Sequence, residues 1–367
     1  MQRFVALDRL RAMAVVSMVQ GHTFTALMRP GALPEAFMQW HALVHGLTAP
    51  AFLFGAGLAF GIASYPRYQA HHQGGAALAK RMRRYAMLVL IGYALQLPGA
   101  SLWAAFKLRG AALAPVLRVG PLHLIALCLG LCQLAALGLR SARVHAALCL
   151  ALGIAVSIAA PHVYAAQAGA RAGMFLGPWL DAGAGSLFPI FPWASFVFFG
   201  VAVAGALSLR RELPRALLWI APGVALAACA YVLFLVGVRW SDPKWFWHAS
   251  PLNTAFRIGV VLCLLGLLHS LAPRADAGGW ASLLARESLV AFVAHLLLLY
   301  GTPFTPSLNH HYGGRLDALQ VTLVFLVVLA LTMLAVRLWA SGLKERGLSL
   351  PWVRAALTAL GLFVLTR

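Results

Sequence analysis

The sequence predicts an all-α integral membrane protein: a bundle of ten or eleven transmembrane helices with a cytoplasmic N-terminus. Three observations predict it. The 367-residue chain is 62% hydrophobic and 10% charged, whereas a soluble domain carries about a quarter charged residues. Its apolar residues fall in blocks of roughly twenty, the length at which a helix spans a bilayer. Its basic residues gather at the ends of those blocks, where they set orientation.

In chain order the blocks are 5–27, 44–64, 83–99, 121–139, 144–161, 187–207, 216–237, 254–272, 284–302 and 317–340. An eleventh, 351–366, opens on Pro351 and is barely long enough, so it spans or lies at the interface. Each is read as helix, because only helices and closed barrels satisfy the backbone in lipid, and barrel strands are shorter and alternate. With the N-terminus inside, 19 of the 29 Lys and Arg residues fall on the cytoplasmic face. Lys107, Arg109 and Arg118, together in one outer loop, weaken that bias. No soluble domain, short repeat or cleavable signal stands out, so residues 1–367 read as a single transmembrane domain. The longer outer loops are 28–43, 100–120, 162–186, 238–253 and 303–316, and on the inner face only 65–82 compares.

Composition also excludes some functions. A net charge of +20 could suggest nucleic acid, but the basic residues form no single patch. Cys128, Cys132, Cys149, Cys229 and Cys263 lie inside apolar blocks. An odd count at that depth is helix packing rather than a disulfide framework. His71–His72 and His310–His311 are loop pairs without a third ligand nearby, so no metal is expected.

The first block carries the chemistry. Within LDRLRAMAVVSMVQGHTFTAL (7–27), Gln20 and His22 stand at bilayer depth, where polar groups are expensive and usually functional. At 100° per residue, Arg11 lies about 20° from His22 around the axis and Asp8 about 40° to the other side. Asp8, Arg11, His22 and Thr25 therefore form one stripe, roughly 21 Å long between Asp8 and His22 at ~1.5 Å per residue. It should face the bundle interior. Asp8 and Arg11 could equally be a local pair anchoring the helix end, and His22 a packing histidine. Histidine is nonetheless the side chain best suited to move a proton near neutral pH.

The segment LDRLRAMAVVSMVQGH resembles the opening helix of the multi-helix membrane acyltransferases. These include bacterial sugar O-acyltransferases and heparan-α-glucosaminide N-acetyltransferase-like proteins. The shared pattern is a Leu-Asp pair, an Arg, usually a Gly, and a His after ten intervening residues. Leu7–Asp8, Arg11 and His22 match it, while Ala12 replaces the Gly. Further likenesses follow in order: LTAPAFLFGAGLAFG (47–61), with Gly57 and Gly61 as a small-residue packing face; Arg81 and Arg84 in KRMRRY (80–85); GPLHLIAL (120–127); FPIFPWASFVFFG (188–200); and ESLVAFVAHLLLLYG (287–301), with Ser288 and His295.

The resemblance implies transfer of an acyl group, acetyl in the first instance, from cytosolic acyl-CoA (acetyl-CoA) to a hydroxyl or amine of an extracytoplasmic sugar or glycan. Arg81 and Arg84 would hold the CoA phosphates, although a plain positive-inside cluster would look the same. His22 is the favoured general base, with transient acyl carriage a lesser role. Asp8 and Arg11 would support the donor passage and the helix position. His41, in HALVHGLT (41–48), matches the key histidine of the N-acetyltransferase-like branch and competes with His22. His45 and His295 are candidate substrate contacts, although packing is the blander reading of His295. Trp245, in RWSDPKWFWH (239–248), could stack on a sugar ring or anchor the interface. The partners expected are the glycan acceptor and the lipid bilayer, with no nucleic acid and a homodimer allowed. The bacterial inner membrane is the expected location. The rival reading is a transporter or flippase for a small polar or lipid-linked substrate. It lacks the inverted repeats and paired broken spans that usually mark one.

Overall fold

The computed structural model describes residues 4–72, 74–97, 107–208, 216–238, 240–242, 246–271, 279–301 and 307–343. Twelve principal helices organise them: α1 (Val5–Leu27), α2 (Glu35–His45), α3 (Thr48–Ser64), α4 (Ala76–Ala94), α5 (Pro121–Gly138), α6 (Ala142–Ala165), α7 (Ile190–Ser208), α8 (Leu217–Leu235), α9 (Pro251–Ser270), α10 (Trp280–Arg286), α11 (Ser288–Tyr300) and α12 (Ala318–Leu338). Among the described residues the only strand-like pairing is one parallel bridge, Met28 to Leu316.

Several helix starts are written locally. Pro121 and Pro251 open α5 and α9, the position where a missing N–H costs nothing. Ser141 caps α6 by accepting from Val144 N–H at 3.4 Å. Asp317 and Gln320 form a reciprocal box at the start of α12, with bonds of 2.9 and 3.0 Å.

Among the described residues, seven helical stretches are long and apolar enough to cross a bilayer: Glu35–His72, α5, α6, α7, α8, α9, and α12 extended to Gly342. An eighth arises if α10 and α11, bent by 83° at their junction, count as one span. The expected spans 5–27 and 83–99 do form helices, α1 and α4, but these are not among the seven. α1 carries Asp8, Arg9, Arg11, Gln20 and His22, and α4 carries Lys80, Arg81, Arg83 and Arg84, so polar residues dilute both. Two expectations change outright. The outer loop 28–43 contains most of α2. The straight span 284–302 is broken at Glu287, leaving α11 with 13 residues, about 20 Å of helix, which is short of a bilayer core. The eleventh block, 351–366, lies outside the described residues.

The chain divides into two compact units. The first comprises 1–7, 50–96 and 110–272 and holds most of α3 together with α4 to α9. Its helices approach through small residues, as the Gly57–Gly61 face suggested. A Cβ on Gly57 would strike the Val197 carbonyl, one on Gly200 the Phe54 carbonyl, and one on Gly61 the Ala204 methyl. α3 and α7 therefore cross with backbones in contact. Gly223 and Gly259 do the same for α8 and α9, where an added Cβ would sit 2.7 and 2.6 Å from the opposing carbonyl oxygen. Between apolar helices in lipid, such close packing supplies the attraction that hydrophobic burial supplies in water.

The second unit comprises 8–49, 97–109 and 273–367. α1 is its centre. Arg29 N–H donates to Leu316 O at 2.8 Å and Leu316 N–H donates to Leu27 O at 3.0 Å, tying the end of α1 to the segment before α12.

Candidate functional site

Three side chains that meet the α1 stripe, Ser282, Ser288 and His295, belong to this second unit. Ser282 of α10 donates to Asp8 Oδ2 at 3.2 Å. Arg11 Nη2 donates to Ser288 Oγ, on α11, at 2.9 Å. His22 Nδ1 and His295 Nε2, also on α11, are 2.9 Å apart. The predicted face is thus the face that α10 and α11 cover, and Ser288 and His295, one heptad apart, do share a side. The bend at Glu287 carries Ser282 and Ser288 to successive levels of the same stripe. Thr25, assigned to that stripe by periodicity, is exposed instead.

Tautomers follow from these partners. A carbonyl oxygen can only accept, so the 2.8 Å contact from His295 Nδ1 to Ala291 O places a proton on that nitrogen. With both rings neutral, His295 Nε2 then accepts, and His22 Nδ1–H is the donor to it. His22 Nε2 is left with its lone pair, and among the described residues no hydrogen-bond partner meets it. His295 is fully buried and His22 half-buried. The two rings stack at 5.1 Å, and the Tyr300 ring stands edge-on to His22 at 6.5 Å.

Gln20, two residues before His22, faces the other way, towards α2. Its Nε2 donates to His41 Nε2 at 3.1 Å, and its Oε1 accepts from His45 Nε2. The His41 and His45 rings lie 4.2 Å apart. Gly21 makes room for this, because a Cβ there would sit 2.6 Å from His45 Nδ1. His41 therefore has its ε lone pair occupied, and it rides on a helix none of whose residues is buried. Gln20 was noticed in the sequence as a polar residue at depth, but no local pattern said that it would bridge two histidines.

The basic pair belongs to the first unit. Arg81 Nη1 reaches Gln133 Oε1 and its Nη2 reaches Ala70 O, both at 3.4 Å. The fully buried Gln133 also accepts from His71 Nδ1 at 2.9 Å and donates to His71 O at 3.2 Å. This holds the short helix Tyr68–His72, part of the expected inner loop 65–82, against α5. Arg84, one turn along α4, is exposed. Trp245 lies outside the described residues. Among those described, no group of three or more metal-ligating side chains forms.

An all-helical multi-pass membrane protein with a histidine pair backed into its helices and a separate basic pair defines the class. Comparison with known proteins narrows it. The catalytic region of heparan-alpha-glucosaminide N-acetyltransferase matches residues 3–241, and the chain belongs to that family of membrane acetyltransferases. No curated protein and no solved structure matches it. His22, His41, Arg81 and Arg84 fall within the matched residues, whereas Ser288 and His295 lie beyond them.

Proposed function

We propose that the protein moves an acyl group, acetyl in the first instance, from cytosolic acyl-CoA to a hydroxyl or amine of an extracytoplasmic sugar or glycan, with His22 as general base. The observation that carries this reading is the hydrogen-bond chain Ala291 O, His295, His22, which leaves the His22 Nε2 lone pair as the open end of a buried relay. His41, the competitor, has its corresponding nitrogen engaged by Gln20.

In this mechanism Arg81 and Arg84 hold the CoA phosphates by charge-assisted bonds. The acceptor O–H or N–H gives its proton to His22 Nε2 while its oxygen or nitrogen attacks the thioester carbonyl carbon. The C–S bond breaks, and the CoA sulfur takes the proton back from His22. As His22 becomes positive, its bond to His295 becomes charge-assisted, so the relay stabilises the transition state more than the ground state. Asp8 and Arg11, bound to Ser282 and Ser288, fix the rotation of α1 that keeps His22 on α11. An N-terminus inside, ten or eleven spans and the bacterial inner membrane complete the reading, since cytosolic CoA then meets the basic end of α4.

The test is incubation of the purified protein with labelled acetyl-CoA and a glucosaminide or envelope glycan. The wild type should transfer label. His22→Ala should abolish transfer while eluting as the wild type does in detergent. Full activity in that variant would reject His22 as base.

A further inference from the structure

One charge inside the bundle has no role in this chemistry. Arg257 is the seventh residue of α9, roughly 9 Å along the helix from its start at ~1.5 Å per residue. An arginine at such depth is costly and is normally paired. Arg257 is only partly exposed, yet among the described residues no carboxylate and no hydrogen-bond acceptor meets its guanidinium. Its one close partner is the face of Trp193 on α7, 5.8 Å from the guanidinium carbon to the ring centroid. A cation–π contact leaves the in-plane N–H donors unspent.

Among the described residues the surroundings add donors and no carboxylate against the guanidinium. Helical side chains lean towards their own N-terminus, so Arg257 is carried towards Ser250, which lies seven residues earlier and about 20° away around the axis. Ser250 is 1% exposed, and its Oγ is buried without a hydrogen-bond partner. It precedes α9 yet does not cap it through its side chain. The short helix Phe246–Ala249 packs over the same end. There His248 lies close enough to Arg257 that, after burial, the guanidinium charge lowers the His248 pKa. A buried orphan hydroxyl and a planar fork of N–H donors at a 20-residue helix's positive end are all complementary to an oxyanion.

We propose that Arg257, Trp193 and Ser250 form an oxyanion-binding site that takes the carboxylate or phosphate group of a sugar-sized ligand. The site lies within the first unit, and its Ser250 and Arg257 lie beyond residues 3–241. It rests on the proposed function only for the statement that this end of α9 faces away from the cytosol.

The experiment is ligand binding to the full-length protein in detergent, read by intrinsic tryptophan fluorescence and thermal shift at constant ionic strength. The probes are glucuronate, glucose 1-phosphate and glucose. Either anionic probe should bind and raise the melting temperature, while glucose should not. The tighter of the two assigns carboxylate or phosphate. Arg257→Gln should weaken the anion at least tenfold, and Arg257→Lys, which keeps the charge and loses the fork, should fall between. Ser250→Ala should weaken it measurably, and it keeps the test open should Arg257→Gln fail to fold. His22→Ala should bind as the wild type does, which separates this site from the acyltransferase reading. Equal response to glucose, no binding of either anion to the wild type, or wild-type affinity in both Arg257→Lys and Ser250→Ala would overturn it.

Discussion

Replacing His295 isolates the relay from the base. His295→Phe keeps ring size and burial but removes the acceptor 2.9 Å from His22 Nδ1. In the ground state that bond joins two neutral rings and contributes about 1 kcal/mol net. When His22 carries the acceptor's proton, the same bond has a charged donor and contributes about 1.5–3 kcal/mol. The difference, roughly 0.5–2 kcal/mol, is transition-state stabilisation that Phe cannot supply. At about 1.36 kcal/mol per factor of ten, kcat should fall roughly 2- to 30-fold with the acetyl-CoA KM unchanged. His295→Gln can present an amide oxygen near the position of Nε2 and should recover most of the loss. The assay is CoA thiol release under saturating acceptor, with KM and kcat separated, on protein whose elution in detergent matches the wild type. The reasoning fails if His295→Phe retains wild-type kcat, or if Gln is no better than Phe.

Three further outcomes are expected. Gln20→Leu releases His41 and His45 but leaves the His22–His295 bond intact, so kcat should change less than about threefold, on the order of one weak neutral hydrogen bond; a hundredfold loss in steady-state turnover would transfer the base role to His41. Arg84→Ala should raise the KM for acetyl-CoA roughly tenfold, the scale of one charge-assisted phosphate contact, with kcat and acceptor KM little changed; a selective rise in acceptor KM would place the donor elsewhere. Gly57→Val puts a branched side chain against the Val197 carbonyl, where neither backbone can yield, and should cost ~2–3 kcal/mol or more. A lowered melting temperature in detergent would register it, and an unchanged one would contradict the close crossing of α3 and α7.

Much of this was readable along the chain, because its causes are local. Bilayer-length apolar blocks, a proline or acid at a helix start, and the 3.6-residue period depend on neighbours within a few turns. They placed Asp8, Arg11 and His22 on one face, Ser288 and His295 on another, and Gly57 with Gly61 as a packing edge. The same locality explains the errors. Periodicity assigned Thr25 to the stripe, yet its side chain is exposed. The block 284–302 looked like one apolar helix because hydropathy does not register an 83° bend at Glu287.

What the tertiary structure decided is which polar groups meet. The His22–His295 contact joins residues 273 positions apart, and no sequence rule specifies that pairing. The tautomers, and hence which nitrogen keeps a lone pair, follow only from the partners: a backbone carbonyl for His295, and Gln20 for His41. By itself the sequence determined that a histidine would stand within the long first helix, since the polar residues of that apolar block are a local feature that marks it out. Only the packing of α1 against α2 and α11 decided that His22 has its Nε2 open and His41 does not, because a hydrogen bond depends on distance and direction between elements that the chain brings together last.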